Sequence, residues 1–500
     1  MSLSVPPRMS VRCGLASRLL RALGIAVALG IAGCFNGEKG PKTVEQPFKG
    51  QTVRIAAPAD LGLQAPWDVP LNEWAARTGG AFEFRPVKTA DGAFPPQAEA
   101  DVAVLPLTSL GAWRGEEALA SIPSTAQGET HLHWKDYFQG LRENLAPGVG
   151  GPACVPLAAP VLICYYRADL LQAANLKPPE TWDDYHQLVA DLPKWAPGLT
   201  AVEPWNDDWR ATLFLARSVG YARHSGHYSL YFDAETGAPL IDSPGFQRGL
   251  DISLKILPLL SADSRKFGVS ECRGEILAGR AALAIALETG PSNPRLPFGP
   301  DSGEAKTPEE VERSKDVGLG FCQLPGAAAV YNPTLASWEE LGQSGVNRVT
   351  LTGFGGLALG VSSHSSEQTA QAGWNLVESL TSEQENVPFP PGVRGLVRES
   401  DLQQPDRWVG KALTGSEAGR YCAAAAKSLR DRHLVVELPV LGRSGFRKAL
   451  TEELARAFEA EADSSAILEE VAAKWRKIAE QLGPDKVRDS YRRSLGLTAR

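Results

Sequence analysis

Residues 152–167 read PACVPLAAPVLICYYR, an apolar run interrupted by Pro156 and Pro160. Proline lacks the N–H that a sheet ladder needs, so this run cannot serve throughout as a central antiparallel strand. It reads as a strand crossing between two lobes, or as one lying at a sheet edge. The next stretch is equally punctuated. Ala168 to Ala174 suit a short helix, stopped near Asn175 by Pro178 and Pro179. Thr181 then stands three residues before Asp184 as a helix cap, and Trp182, Tyr185, Leu188, Val189 and Leu192 line one face of the helix it starts.

Strand and helix signals alternate along the rest of the chain, which argues for α/β layering. QTVRIAAPAD, FEFRPV and ADVAVLPLTSLGAW read as strands. Leu71, Trp74 and Ala75 mark a helix after the first of them. Further helices are expected from about Phe246 to Leu257, over AGWNLVESL, and at the C-terminal end over KALTEELARAFEA and SAILEEVAAKWRKIAEQL. Residues 291–316 are polar and Pro-rich, a surface excursion. The chain has 500 residues, more than one hydrophobic core usually supports, so two lobes are expected.

The start of the chain suggests export. Arg8, Arg12, Arg18 and Arg21 precede the apolar stretch ALGIAVALGIAG, Ala22 to Gly33, which runs into Cys34. A bilayer-spanning helix needs about 20 apolar residues; this shorter run suits a signal-peptide core. Ile31-Ala32-Gly33-Cys34 resembles a bacterial lipobox, which implies cleavage before Cys34, lipidation of its thiol and attachment to a membrane surface. Residues 1–33 would then be the signal and 34–50 a tether. The formal net charge is −7, and the four arginines lost with the signal make the remainder more acidic still. An acidic chain without a basic stripe has no electrostatic reason to hold nucleic acid. Five cysteines follow Cys34, namely Cys154, Cys164, Cys272, Cys322 and Cys422, with spacings of neither a disulfide framework nor a zinc site. Five is odd, so at least one stays unpaired.

From about Gln51 to Gly483 the chain resembles the extracellular solute-binding proteins of ABC importers, in the branch that contains maltodextrin-binding protein. VLICYYRADLLQAANLKPPETWDDYHQLVADL is similar to that family's strand, tyrosines and "PPxTWDE" helix start. GRAALAIA, VGLGFCQLPGA, GFGGLALGVSSHSSEQTAQAGWNLVESLTS and SAILEEVAAKWRKIAEQL come after it in the family's order. The resemblance implies a type II periplasmic-binding-protein-like α/β fold, with two lobes joined by crossing strands and a ligand cleft between them. Lobe one would be 51–155 plus 327–390, and lobe two 156–326 plus 391–500. It also implies a monomer that captures a small solute, a sugar or oligosaccharide, by lobe closure outside the cytoplasm. The solute would pass to separate ABC permease subunits, or the chain would act as a lipid-anchored sensor without transport.

A sugar site wants flat aromatics for the C–H faces and carboxylates, amides or arginines for the hydroxyls, on loops at strand ends. Glu203, Trp205, Asp207 and Trp209, in EPWNDDW, resemble the family's sugar-contacting Glu-Pro-Tyr segment. Trp67, Thr108, Ser109 and Trp113 come after first-lobe strands, where open α/β sheets place ligands. Phe354 and Gly355 lie in a glycine-rich turn that would admit close backbone approach. Glu288 stands where the family often has a glycine-tryptophan platform, and Arg394 lies where the family chain returns to lobe two. Arg447 replaces a family tryptophan, with Phe446 beside it as a candidate substitute. Tyr331 and Trp338 are carried by a long segment that either lids the cleft or decorates the surface. Tyr165 and Tyr166 suit packing.

No G-x-S-x-G, H-E-x-x-H, G-x-G-x-x-G or phosphate-loop motif is present, so no catalytic residue, cofactor or resident ATPase is expected. The pairs His131/His133 and His224/His227 lack an acidic or cysteine partner at metal-ligand spacing, and no metal is expected there. A carbohydrate-active enzyme is the more distant alternative. Adjacent Asp207 and Asp208 would point in different directions on a helix and make a poor acid/base pair.

Overall fold

The computed structural model describes residues 46–498, apart from 89–93, 95, 97–98, 116, 129–130, 146, 149–150, 289–317, 343–344, 383–394, 411–412, 414 and 460–462. The expected signal segment, Cys34, Arg394 and the expected excursion over 291–316 lie outside the described residues. Among the described residues no helix is long and apolar enough to cross a membrane.

Two sheets organise the chain. In the five-stranded sheet the order is Ala81–Val87, Thr52–Pro58, Val102–Pro106, Leu357–Val361, Val155–Ala158. Its first three strands run parallel, and Leu357–Val361 inserts antiparallel between Val102–Pro106 and Val155–Ala158. The four-stranded sheet has the order Leu319–Gln323, Ile163–Arg167, Ala281–Ala286, Thr200–Val202. Strands such as Ala281–Ala286 are buried along their whole length, the apolar-run pattern of a sheet covered on both faces.

The proline-bearing run does cross. Val155–Ala158 closes the first sheet, Ala159 to Leu162 bridge, and Ile163–Arg167 enters the second. Pro156 falls on the terminal strand of its sheet, where a missing N–H is tolerated. Just beyond, Thr181 and Asp184 form a capping box: the Thr181 hydroxyl accepts from the Asp184 N–H at 3.1 Å and the Asp184 carboxylate from the Thr181 N–H at 2.9 Å. Tyr165 is wholly buried and Tyr166 half-buried.

A second crossing lies at Gly353 to Gly356, between strand Thr350–Thr352 and first-sheet strand Leu357–Val361. Gly353 and Gly355 have φ of 117° and 67°, conformations that glycine adopts without steric cost. The Thr352 hydroxyl donates to the Pro160 carbonyl at 2.9 Å, tying the two crossings together.

Ala327, Leu351 and Phe354 belong to the core of the second sheet, and the hairpin Ala329–Asn332/Ser337–Glu340 lies against helix Arg210–Ala222. The chain joins the first sheet only at Leu357. Tyr331 and Trp338 pack edge-to-face at 5.7 Å, and Trp338 also meets Tyr221. They decorate this hairpin.

The two C-terminal helices are Arg443–Glu459 and Ser464–Leu482, and a third, Pro484–Ser494, comes after them. Its sequence, PDKVRDSYRRS, offers few apolar residues to signal it. It docks on helix Leu110–Gly115 through polar contacts. The Ser490 hydroxyl donates to the Gly111 carbonyl at 3.0 Å. Buried Arg114 donates to the carbonyls of Leu145 and Ser494, at the C-terminal ends of two helices. Those carbonyls carry the partial negative charge that a buried guanidinium without a carboxylate requires.

Candidate functional site

A cavity of about 730 Å³ opens between these elements. Thr108, just past first-sheet strand Val102–Pro106, forms one edge, and Phe354 and Gly355 of the second crossing form its base. The opposite wall is Asp207, Asp208 and Trp209 with the polar side of helix Arg443–Glu459. Trp209 and Phe354 meet edge-to-face, with ring centroids 5.4 Å apart and planes at 72°. Tyr331 and Trp338 do not line this cavity.

Helix Arg443–Glu459 explains its own orientation. Phe446, Ala449, Leu450, Leu454 and Ala457 recur at helical spacing and are buried. Arg443, Arg447 and Thr451, and beside them Ser444, Lys448 and Glu452, form two rows on the cavity side. At their foot lies Glu437, 0 % exposed. Its carboxylate is 3.0 Å from Arg443 Nη2 and 3.0 Å from Arg447 Nε, and accepts from the Thr212 hydroxyl at 2.9 Å. Burial works to raise the Glu437 pKa, but the two guanidinium charges and the hydroxyl outweigh it and hold the carboxyl below its ordinary value. Arg447 also donates to the Asp208 carbonyl, which fixes the wall loop to the helix. Asp207 is exposed and paired with Arg210 at 2.8 Å.

The structure brings together five of the expected residues: Thr108, Asp207, Trp209, Phe354 and Gly355. Others sit elsewhere. Trp67 is 0 % exposed and packs edge-on to Phe84. Trp113 is buried, stacked on Phe94, with its Nε1 donating to the Phe94 carbonyl at 2.8 Å. The Ser109 hydroxyl is buried and accepts from the Phe94 N–H. Trp205 is 0 % exposed against Phe458 and donates to Glu203. Glu203 in turn is bound by Arg217 in the core. Glu288 is buried and held by Arg273 Nε at 2.6 Å, the Tyr165 hydroxyl at 2.9 Å and the Gly410 N–H at 2.9 Å. These side chains face cores, where each polar group except the Trp67 Nε1 finds its partner within the protein. Phe446 does not stand in for the family tryptophan, since it is 0 % exposed against Trp475 and Phe232.

Arg447 was singled out in the sequence as the replacement for a family tryptophan; the residues that sequence reasoning did not place at the site are Asp208, Thr212, Glu437 and the other polar residues of helix Arg443–Glu459. Arg443, Arg447 and Thr451 are spaced four apart, a signal that was available.

Among the described residues no group of three or more His, Cys, Asp or Glu side chains could hold a metal ion. His131 lies 2.9 Å from Glu378, and His224 lies 3.0 Å from Glu339.

Two sheets, two crossings and a cavity beside them make up a two-lobe α/β fold. Comparison with solved structures finds that same fold. The chain is similar to the sugar-binding protein MalE of Xanthomonas citri, with a TM-score of 0.59 at 16% identity over 86% of this chain and 98% of that one. It is similar to an ABC transporter solute-binding protein of Agrobacterium radiobacter in complex with ribitol, with a TM-score of 0.55 at 16% identity over 86% and 99%. A solute-binding protein of Agrobacterium vitis with bound D-mannitol gives 0.53 at 15% identity over 87% and 99%. No protein-family model matches the sequence, and no curated protein matches it.

Proposed function

We propose that this chain is an extracytoplasmic binding protein for a small polyhydroxylated solute, a sugar or sugar alcohol. It closes around the solute and delivers it to the membrane subunits of an ABC importer. The observation that carries the reading is the cavity's make-up. One aromatic pair, Trp209 with Phe354, lies beside hydroxyls and charged groups of both signs, on elements from both sides of the crossings. Aromatic edges and faces suit C–H surfaces, and the polar rows suit hydroxyls. Acidic and basic side chains are both present, which favours a neutral polar solute over a strongly charged one. Ribitol and D-mannitol in two structures of the same fold support that class.

The first lobe is built on the five-stranded sheet and the second on the four-stranded sheet, hinged at Ala159–Leu162 and Gly353–Gly356. A solute touching Thr108 on one side and Trp209 and Arg447 on the other favours the closed form by its differential affinity. Lipidation at Cys34 keeps the protein at the membrane surface where the importer works.

A thermal-shift screen of purified protein against sugars, sugar alcohols, sugar phosphates and amino acids tests the proposal. A ligand of the folded state raises Tm. A sugar or sugar alcohol is expected to do so, and stabilisation by the other classes alone overturns the reading.

A further inference from the structure

Leu319–Gln323 and Ile163–Arg167 pair antiparallel, and their register sets Cys322 directly opposite Cys164. Both are free thiols on one face of the second sheet. Cys164 is buried and Cys322 partly exposed, and both pack against the same core. No other cysteine faces a second one across a ladder among the described residues.

The phase of the ladder defines the geometry further. One step past the strand ends, in the same register, the Ala168 N–H donates to the Gly318 carbonyl at 2.8 Å. Hydrogen-bonded and non-bonded pairs alternate in an antiparallel ladder, so Cys164 and Cys322 form a hydrogen-bonded pair, with Cα atoms about 5.5 Å apart. That distance lies inside the range disulfides span. Their Cβ atoms, about 5.5 Å apart at such a position, are wider than the roughly 3.5–4.5 Å of a relaxed disulfide.

We propose that Cys164 and Cys322 are a reversible redox pair, closing to a cross-strand disulfide under oxidising conditions and reopening readily on reduction. Exposure sets the order of events. The Cys322 thiolate attacks one sulfur of a small-molecule or protein disulfide, forming a mixed disulfide and releasing the other half as a thiolate. The Cys164 thiolate then attacks the Cys322 sulfur, forming the Cys164–Cys322 bond and expelling the second half. The two cysteine protons end on the two released thiols, and the pair's two electrons have reduced the oxidant's S–S bond. Cys164 resists ionisation, because its hydrogen bond to Cys322 and then its burial raise its pKa well above the ordinary value. Drawing the strands together to close the ring strains the bond, and strained disulfides are the readily reduced ones. The pairing follows from strand register and does not depend on the solute reading, although an exported protein would meet suitable oxidants.

The test equilibrates the purified protein with glutathione buffers of rising disulfide content, alkylates free thiols in denaturant, and maps peptides without reduction. The expected product joins the Cys164 peptide to the Cys322 peptide, with a fraction that follows the glutathione ratio in both directions. Cys322→Ser and Cys164→Ala should each abolish the link and leave the other cysteine alkylatable. Full alkylation of both at every ratio, a link that resists reduced glutathione at every ratio, or a link from either residue to another cysteine overturns the proposal. The solute screen on the reduced protein is a separate readout.

Discussion

Arg217 and Glu203 meet out of reach of solvent, each side chain 0 % exposed, with one guanidinium nitrogen 2.8 Å from both carboxylate oxygens. Trp205 Nε1 donates to the same carboxylate at 2.8 Å, and the guanidinium lies 4.5 Å from the centroid of the Trp182 ring. A buried pair of this kind contributes little by existing, but removing one partner leaves a desolvated charge. Glu203→Ala is expected to cost about 3–5 kcal/mol in urea unfolding. The double variant Glu203→Leu/Arg217→Met should recover much of that loss. An unchanged midpoint for the single variant contradicts the buried pair.

Two tryptophans of one loop should separate by function. Trp209 borders the cavity, and Trp209→Ala is expected to weaken the affinity for whichever sugar or sugar alcohol the screen identifies by roughly tenfold or more, about 1.4 kcal/mol. Trp205→Ala should instead lower stability by about 3–5 kcal/mol, with Kd near the wild-type value for the folded fraction. Calorimetric titration and thermal unfolding distinguish the two, and a reversed pattern would move the site onto Trp205.

Gly111 has no room for a side chain: a Cβ there would sit 2.2 Å from the Pro439 carbonyl oxygen. Backbone cannot yield as a side chain can, so Gly111→Ala should destabilise by at least about 1–3 kcal/mol. It should also raise protease cleavage in the Pro484–Ser494 helix, because Ser490 bonds the Gly111 carbonyl. Unaltered cleavage there would mean the helix docks without this contact.

Burial raises the Asp401 pKa from 3.8 to about 6, against the opposing effects of the Val397 and Arg398 N–H groups and the Arg398 charge. The folded state therefore holds this proton more tightly than the unfolded chain. The resulting stability is full below about pH 4 and is lost as pH rises through about 6. The stability of wild type minus that of Asp401→Asn should fall by roughly 3 kcal/mol across that window. A difference that is flat, or that rises with pH, refutes the assignment.

The architecture was legible where the signal is local. Pro156 and Pro160 announced the crossing, and Thr181 with Asp184 announced the cap, because each depends on covalent geometry or on neighbours three residues away. The direction in which an aromatic points depends on partners far along the chain, and that is where the site reading ran out. Trp113 faces inward because Phe94 offers a carbonyl. Glu288 faces inward because Arg273, Tyr165 and Gly410 converge on it. Neither partnership leaves a mark in the surrounding residues. Helix Pro484–Ser494 was missed for a related reason: its apolar signal is only the pair Val487 and Tyr491, both buried in the second core, and the rest of its anchoring is polar, through Arg114 and Ser490.

The place of Leu357–Val361 inside the first sheet has a consequence for the order of synthesis. Until the ribosome has made residue 361, Val102–Pro106 and Val155–Ala158 have no neighbour to join them, and each offers an open row of amide and carbonyl groups. Closure over so long a separation is slow. A nascent chain therefore carries that gap in its first sheet for most of its translation.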